Sequence, residues 1–153
     1  MLSAIQIGYF NKLAFGIKPI FCLRNTISNL SRKMSNHVIN YESAGVKSLK
    51  EVLLEKYSAC HYIVDFNATW CGPCRMMKPN LVKQVEDHNS KCPSNIIKLI
   101  FVDIDEFSSE AEEYNVKGIP HIIATDKNNK ELHNSPGMLD EAKITALISS
   151  FKE

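Results

Sequence analysis

The chain has 153 residues, of which 44% are hydrophobic and 23% are charged, and this is enough for one globular domain with a sizeable core. Its formal net charge at pH 7 is only +1. A charge balance this close to zero does not favour nucleic acid or an acidic membrane surface as the main partner.

The first part of the chain lacks acidic residues. Residues 1–41 contain no Asp or Glu, and their basic residues are Lys12, Lys18, Arg24, Arg32 and Lys33. Lysines interrupt the apolar runs before they reach the ~18 residues that a membrane span needs. This composition predicts a transit peptide over residues 1–34, import into the mitochondrial matrix, and a working domain over residues 35–153. The alternative is an internal start at Met34, which would leave the protein in the cytoplasm.

Downstream of this leader, the hydrophobic pattern predicts alternating strands and helices. In chain order they are a strand over 38–41, a helix over 46–57, a strand over 61–67, a helix over 71–88, a strand over 96–103, a helix over 109–114, strands over 121–125 and 130–133, and a helix over 140–151. Helices between strands require parallel neighbours, and the last two strands form a hairpin. The order therefore predicts an α/β fold with a mixed central β-sheet sandwiched between helices.

Two details of this prediction concern the ends of helices. A polar loop is predicted over residues 89–95, and Ser109 followed by Glu112 resembles a capping box at the start of the third helix.

Two cysteines stand where the second strand is followed by the second helix. Cys71 and Cys74 are separated only by Gly72 and Pro73, so they can close a small disulfide or supply half of a metal site. A zinc site would need two further ligands, and no second paired motif provides them. The candidate residues for these two further ligands are His61, Cys92 and His121.

The number of cysteines favours a reducing compartment. There are five, an odd number without the dense spacing of a secreted disulfide scaffold. Cys60 and Cys92 are interpreted as passive thiols of the core, and the sequence indicates no role for Cys22.

Several further motifs follow one another around the cysteine pair. They are the segment 64–76 with its Trp-Cys-Gly-Pro-Cys centre, the proline at 79, Val-Asp-Ile-Asp at 102–105, Lys-Gly-Ile-Pro at 117–120 and the glycine at 137. In this order they resemble the thioredoxin family, and the resemblance spans residues 38–151. It implies the thioredoxin fold and a thiol–disulfide oxidoreductase. With the leader, the chain most resembles the mitochondrial members of the family.

The resemblance implies a role for each residue of the dithiol site. Cys71 would be the nucleophile, its thiolate favoured by the unpaired amides and dipole of the helix N-terminus. Cys74, expected to be the less exposed thiol, would resolve the mixed disulfide between Cys71 and a target. Asp65, on a buried strand, would have a pKa raised by desolvation and would accept the proton of Cys74.

The resemblance also implies a flat apolar docking surface, in which the bond before Pro120 is cis and the backbone of Ile119 pairs with the target chain. The residues of this docking surface would be Trp70, Gly72, Pro73, Ile119, Pro120 and Gly137. Trp70 could instead belong to the core. His121 stands where threonine is common in the family, and we expect it to tune the acidity of the dithiol or the choice of target.

The residue before the second cysteine predicts the direction of the reaction. Oxidases and isomerases of this fold carry a histidine there, which makes their disulfide oxidising, whereas Pro73 offers no charge. We therefore expect a monomeric protein-disulfide reductase, recycled by thioredoxin reductase and acting on disulfide-containing proteins such as peroxiredoxins. No metal, no bound cofactor beyond the redox-active disulfide, no nucleic acid and no membrane are expected. A redox-gated binding subunit and a glutathione-linked, glutaredoxin-like enzyme remain alternatives.

Overall fold

The computed structural model describes residues 37–41, 48–57 and 60–151, so the predicted leader and its cleavage region lie outside the described residues. In the described part, five strands and four helices follow one another in the predicted order. They are β1 (Val38–Asn40), α1 (Leu49–Tyr57), β2 (His61–Asn67), α2 (Gly72–Lys91), β3 (Ile97–Asp103), α3 (Ser108–Glu113), β4 (His121–Thr125), β5 (Glu131–Pro136) and α4 (Glu141–Ser150).

The sheet is mixed, as predicted. Its strand order is β1-β3-β2-β4-β5, with parallel pairing among β1, β3 and β2 and antiparallel pairing of β4 with β2 and β5. The carboxyl end of β2 leads directly into the cysteine pair and α2. The site predicted at residues 71–74 therefore lies at the end of the central strand.

Helices cover both faces of the sheet. On one face, α2 and α4 pack against strand residues that include Ile63 and Phe101. On the other face, Leu49 of α1 and Ala111 of α3 pack against residues that include Phe66. Because side chains alternate along a strand, Asp65 points to the α2 face and its neighbour Phe66 to the α3 face.

The helix that begins at the cysteine pair is longer than its sequence pattern indicates. The predicted loop over 89–95 was wrong at its start, since α2 continues to Lys91. Asn89 is buried there, its amide donating to the carbonyl of Ile97 and its Oδ1 accepting the amide N–H of the same residue, both at 2.9 Å. This pairing of a side chain with β3 stabilises the last turn and leaves a short loop.

The predicted capping box was also misplaced. Ser109 lies inside α3, where its hydroxyl donates to Glu110 at 2.8 Å, and the cap position is held by Phe107 without a side-chain hydrogen bond. The reciprocal pattern occurs instead at α1, because Ser48 Oγ accepts the amide of Glu51 at 3.3 Å and Glu51 Oε2 accepts the amide of Ser48 at 3.2 Å.

Two other expectations differ from the structure. Cys60 and Cys92 are half-buried, so their assignment to the core was wrong. The hairpin strand β5 extends three residues beyond the predicted end, to Pro136. In the described part of the chain, no helix has the length and apolarity to cross a membrane.

A buried histidine joins three segments at the opposite end of the sheet from the cysteines. His61 is 2% exposed, and its Nδ1 accepts the amide N–H of Lys127 at 3.2 Å. The Nε2–H must then donate to Asn95 Oδ1, 2.6 Å away, while the amide of Asn95 donates to the carbonyl of Phe151 at 3.1 Å. The network requires the neutral imidazole, and burial lowers the pKa of His61 below 6.5.

His61→Leu is expected to reduce stability at pH 7.5 by about 1–3 kcal/mol, because Asn95 and the Lys127 amide lose a buried partner. A histidine with a lowered pKa binds its proton more readily when unfolded, so it destabilises the fold as pH falls below 6.5. The difference in unfolding free energy between wild type and variant should therefore shrink from pH 7.5 to pH 5. Urea unfolding at several pH values measures it, and a constant difference would contradict the neutral network.

Candidate active site

The two cysteines form a disulfide at the N-terminus of α2. The Cα atoms of Cys71 and Cys74 are 5.3 Å apart and the sulfurs are bonded at 2.03 Å. Cys71 is the N-cap residue, and its Sγ accepts the amide N–H of Cys74 at 3.2 Å. Gly72 and Pro73 form the first positions of the helix, where a proline loses no intrahelical bond. A thiolate at Cys71 would therefore meet unpaired amides and the positive end of the helix dipole.

Both sulfur-bearing residues are shielded in this disulfide form. Cys71 and Cys74 are each 4% exposed, so the expectation that Cys74 is the less exposed of the two was wrong for the oxidised state. They cluster with Ala68, and Ile104 and Ile119 pack against them from two neighbouring loops. A target must therefore approach over these apolar side chains.

A carboxyl group lies buried at the same end of β2. Asp65 is fully buried, and neither of its oxygens has a hydrogen-bond partner among the described residues. Burial raises the pKa of Asp65 from 3.8 to about 7, and the positive charge of Lys78 acts in the opposite direction. The group therefore exchanges its proton near neutral pH, as the proposed acceptor for Cys74 requires.

The tryptophan before the first cysteine is not part of the core. Trp70 is 64% exposed, and its indole N–H donates to Asp105 Oδ2 at 2.8 Å. The amide of Asp105 in turn donates to Asp103 Oδ1 at 3.0 Å. Asp105 belongs to the Val-Asp-Ile-Asp motif, but nothing in the sequence linked it to Trp70. The bond orients the large exposed ring beside the disulfide.

Two loops meet on the other side of the disulfide. The Ile119–Pro120 bond is cis, as expected, and the carbonyl of Pro120 accepts the amide of Gly137 at 2.7 Å. Gly137 has a φ of +107°, which a residue with a side chain rarely adopts, although a Cβ there would meet no atom within 4 Å. The backbone conformation, rather than lack of space, explains the glycine.

One exposed side chain at this position was not predicted from the sequence. Met138 follows Gly137 and is 46% exposed, while the next residue, Leu139, donates its amide to Met77 Sδ of α2 at 3.4 Å. Met138 therefore extends the apolar surface between the proline loop and α2. The sequence could have predicted this, because Met138 is an apolar residue directly after Gly137, which was assigned to the docking surface.

His121 lies beside the proline loop but is turned away from Asp65. It pairs with Phe66 in the sheet register and its ring stands edge-on to that residue, with centroids 6.4 Å apart. Its Nε2 lies 2.7 Å from Asn134 Oδ1. The predicted influence on the dithiol therefore stays a prediction, and the hydrogen bond that His121 makes with Asn134 joins β4 to β5.

The described residues contain no group of three or more His, Cys, Asp and Glu side chains placed to hold a metal ion. Of the residues that the sequence offered as zinc ligands, His61 is hydrogen-bonded to Asn95 and His121 is hydrogen-bonded to Asn134. Within residues 37–41, 48–57 and 60–151, no second pair of ligands therefore lies beside the cysteines.

Comparison with known proteins agrees with this geometry. The family model described as thioredoxin matches residues 43–150. The chain belongs to the thioredoxin family. A curated relative from Caenorhabditis elegans, probable thioredoxin-2, is 26% identical over 149 residues, covering 97% of this chain and 96% of its own. The mitochondrial thioredoxin of Mus musculus is 35% identical over 86 residues, which are 56% of this chain and 48% of that protein.

A solved structure of the Schistosoma mansoni thioredoxin pre-protein is 28% identical and superposes with a TM-score of 0.60, covering 76% of this chain and 99% of that one. The expected thioredoxin fold is therefore confirmed. With the cysteine pair bonded, this thioredoxin-family protein is a thiol–disulfide oxidoreductase.

Proposed function

We propose that this thioredoxin-family protein is a protein-disulfide reductase that thioredoxin reductase returns to the dithiol form. The observation that supports it most is the placement of the Cys71–Cys74 disulfide at the N-terminus of α2, shortly after the strand β2, which carries the buried Asp65 with its pKa raised to about 7. Pro73 adds no charge that would favour an oxidising disulfide.

The reaction follows from these positions. The Cys71 thiolate attacks one sulfur of a target disulfide, the target S–S bond breaks, and the released target thiolate takes a proton from water. Asp65 accepts the proton of Cys74, and the Cys74 thiolate then attacks Cys71 Sγ in the mixed disulfide. The second target thiolate leaves, so the target gains two electrons and the Cys71–Cys74 disulfide forms.

Acidity of Cys71 accounts for only part of the rate. A thiol pKa lowered from about 8.5 by roughly 1.5 units raises the thiolate fraction at pH 7 about 16-fold. A thiolate of lower pKa is also a weaker nucleophile. With a Brønsted slope of about 0.45, this weaker nucleophilicity reduces the gain in rate roughly fivefold. Positioning of the target disulfide supplies most of the remainder.

The docking surface supplies that positioning. Trp70, exposed and oriented by Asp105, lies on one side of the disulfide, and the cis Ile119–Pro120 loop joined to Gly137 lies on the other. The backbone of Ile119 pairs with an extended target segment, which gives affinity without demanding one target sequence. The partners are therefore disulfide-containing proteins, with peroxiredoxins as candidates, and the protein works as a monomer.

The leader supports a mitochondrial location for this activity. Residues 1–34 lack acidic side chains, and mitochondrial thioredoxins from mouse, rat and cattle are among the curated relatives. We propose that the protein acts in the matrix, and a tagged full chain that remained in the cytosolic fraction would instead support the start at Met34.

Insulin disulfide reduction by the full chain tests the proposed function. Turnover is expected with NADPH and thioredoxin reductase, and not with glutathione and glutathione reductase. Turnover only with glutathione would indicate the glutaredoxin-like alternative. Inactivity in both assays would contradict the reductase and favour the redox-gated binding subunit.

A further inference from the structure

Large apolar side chains that are exposed in the described part of the chain are concentrated around the disulfide. They are Trp70 before the first cysteine, Met76 on α2, Met138 after Gly137, and Leu54 on α1. Two of the three beside the site are thioethers, and a thioether sulfur is a side-chain group that peroxide oxidises to a sulfoxide. The proposed reaction gives neither sulfur a role.

Met76 lies on the side of α2 that carries part of the docking surface. It stands four residues after Gly72 and three after Pro73, and residues at these spacings share one side of a helix. A long side chain in a helix leans back over the turn that precedes it. Met76 is 67% exposed, so its sulfur is open to solvent beside the first turn of α2.

Met138 belongs to the other part of the docking surface. The amide of the preceding Gly137 donates to the carbonyl of Pro120 at 2.7 Å, and the amide of the following Leu139 donates to Met77 Sδ of α2 at 3.4 Å. These two hydrogen bonds hold Met138 between the cis-proline loop and α2. Both exposed thioethers therefore lie on the surface over which a target approaches the disulfide.

A third methionine provides an internal comparison. Met77 is the chain neighbour of Met76, yet it is only 2% exposed and packs in the core between α2 and the sheet. Its sulfur also accepts the Leu139 amide, so a lone pair is engaged. Because oxidation of methionine follows the access of the oxidant to the sulfur, Met77 is protected where Met76 is open.

We propose that Met76 and Met138 form a modification site, at which peroxide converts the two thioethers to sulfoxides and thereby weakens the docking of protein targets. This inference rests on the proposed function, because the surface that it modifies is the one proposed to bind targets. It adds a second redox reaction to the site, one that acts on binding rather than on the disulfide.

The chemistry is a two-electron oxidation. A lone pair of Sδ attacks one oxygen of hydrogen peroxide, the O–O bond breaks, and an S–O bond forms. The remaining hydroxide takes up the proton of the transferred oxygen and leaves as water, so the sulfur loses two electrons and the peroxide gains them. The product is a polar side chain in place of a flexible apolar one.

The sulfoxide changes what the surface can bind. Its oxygen is a strong acceptor that water satisfies while the surface is free, and an apolar target side chain removes that water without replacing the hydrogen bond. We expect protein targets to bind at least about fivefold more weakly after oxidation. A small disulfide that does not cover the two side chains should react with the reduced protein at an unchanged rate.

The first test locates the modification and requires no activity. The full-length protein in its disulfide form is treated with hydrogen peroxide, and peptide mass spectrometry with fragment spectra separates Met76 from its neighbour Met77. Met76 and Met138 are expected to be oxidised at least about tenfold faster than Met77. Equal rates at the three residues would overturn the site.

The second test measures docking without thiol chemistry. Trp70 is the single tryptophan of the chain, so its fluorescence reports the binding of carboxymethylated insulin B chain, which has no disulfide. Peroxide should lower this affinity in wild type and leave it unchanged in Met76→Leu/Met138→Leu, because leucine has a similar volume and no sulfur. The double variant keeps every cysteine and therefore controls for thiol oxidation. Met77→Leu should respond to peroxide as wild type does.

The outcomes separate this proposal from the proposed function. An affinity that is undetectable before treatment or unchanged after it, or an equal loss in the double variant, would overturn the effect of the two sulfoxides. A peroxide-sensitive affinity in a protein that reduces insulin with neither reductase would overturn the reductase and leave the modification site standing. With both correct, peroxide raises the KM for insulin and leaves kcat unchanged.

Discussion

Cys74→Ser is expected to lower insulin reduction more than 10²-fold and to leave Cys71 covalently bound to its targets. The first half of the reaction needs only the Cys71 thiolate at the N-terminus of α2, and this position is unchanged by the substitution. Without a second thiol, the mixed disulfide has no internal nucleophile. Intact-protein mass spectrometry should therefore detect a target adduct that dithiothreitol releases.

Two further variants give this prediction its controls. Cys71→Ser should lose activity and form no adduct, because the nucleophile itself is absent. Cys92→Ser removes a half-buried thiol outside the site and should behave as wild type. Sustained turnover in Cys74→Ser would contradict the two-cysteine reaction. An inactive Cys74→Ser protein that still performed its biological role would favour the binding subunit.

Asp65→Asn is expected to make the protein more stable above neutral pH while slowing the resolution step. The pKa of Asp65 rises from 3.8 to about 7 on folding, so between these values the folded protein retains a proton that the unfolded chain has lost. Stability therefore falls as pH rises through this range. With about 1.4 kcal/mol for each pKa unit, ionised Asp65 destabilises the fold by roughly 4 kcal/mol at pH 8.

Denaturant unfolding at pH 4 and pH 8 measures this difference. The gain of Asp65→Asn over wild type should grow between the two values by about 4 kcal/mol, and resolution of a preformed mixed disulfide should slow by about 10²-fold. Asp87→Asn, which removes an exposed carboxylate from α2, should change neither quantity. A gain that does not depend on pH would show that folding does not raise the pKa of Asp65.

Strand prediction succeeded where local patterns decide the outcome. The strands over 61–67 and 121–125 agree with β2 and β4 at both ends, because each run of β-branched and aromatic residues is bounded by turn residues or proline. Helix ends depended on tertiary contacts. The last turn of α2 is stabilised by Asn89 on the peptide of Ile97, a pairing that no pattern within the helix contains.

In the candidate active site, too, some features follow from local sequence patterns and others depend on tertiary contacts. Cys71 and Cys74 could be found from spacing, and burial of Asp65 from its place in an apolar strand. The bond from Trp70 to Asp105 joins residues 35 positions apart, and the contact of Lys78 with Phe101 depends on how α2 lies on the sheet. Such contacts are set by packing between elements, so a single sequence does not specify them.

The 20 residues of α2 separate the disulfide from the Asn89 anchor at the other end of the helix. At 1.5 Å per residue this helix is about 30 Å long, so a small change of its direction at one end displaces the other end. A tilt of roughly 5° about the anchored end would displace Cys71 by about 2.5 Å, more than enough to spoil alignment with an incoming disulfide. We therefore expect that substitutions of Asn89, whose side chain bonds to Ile97 at the opposite end of α2, alter turnover without touching the reacting sulfurs.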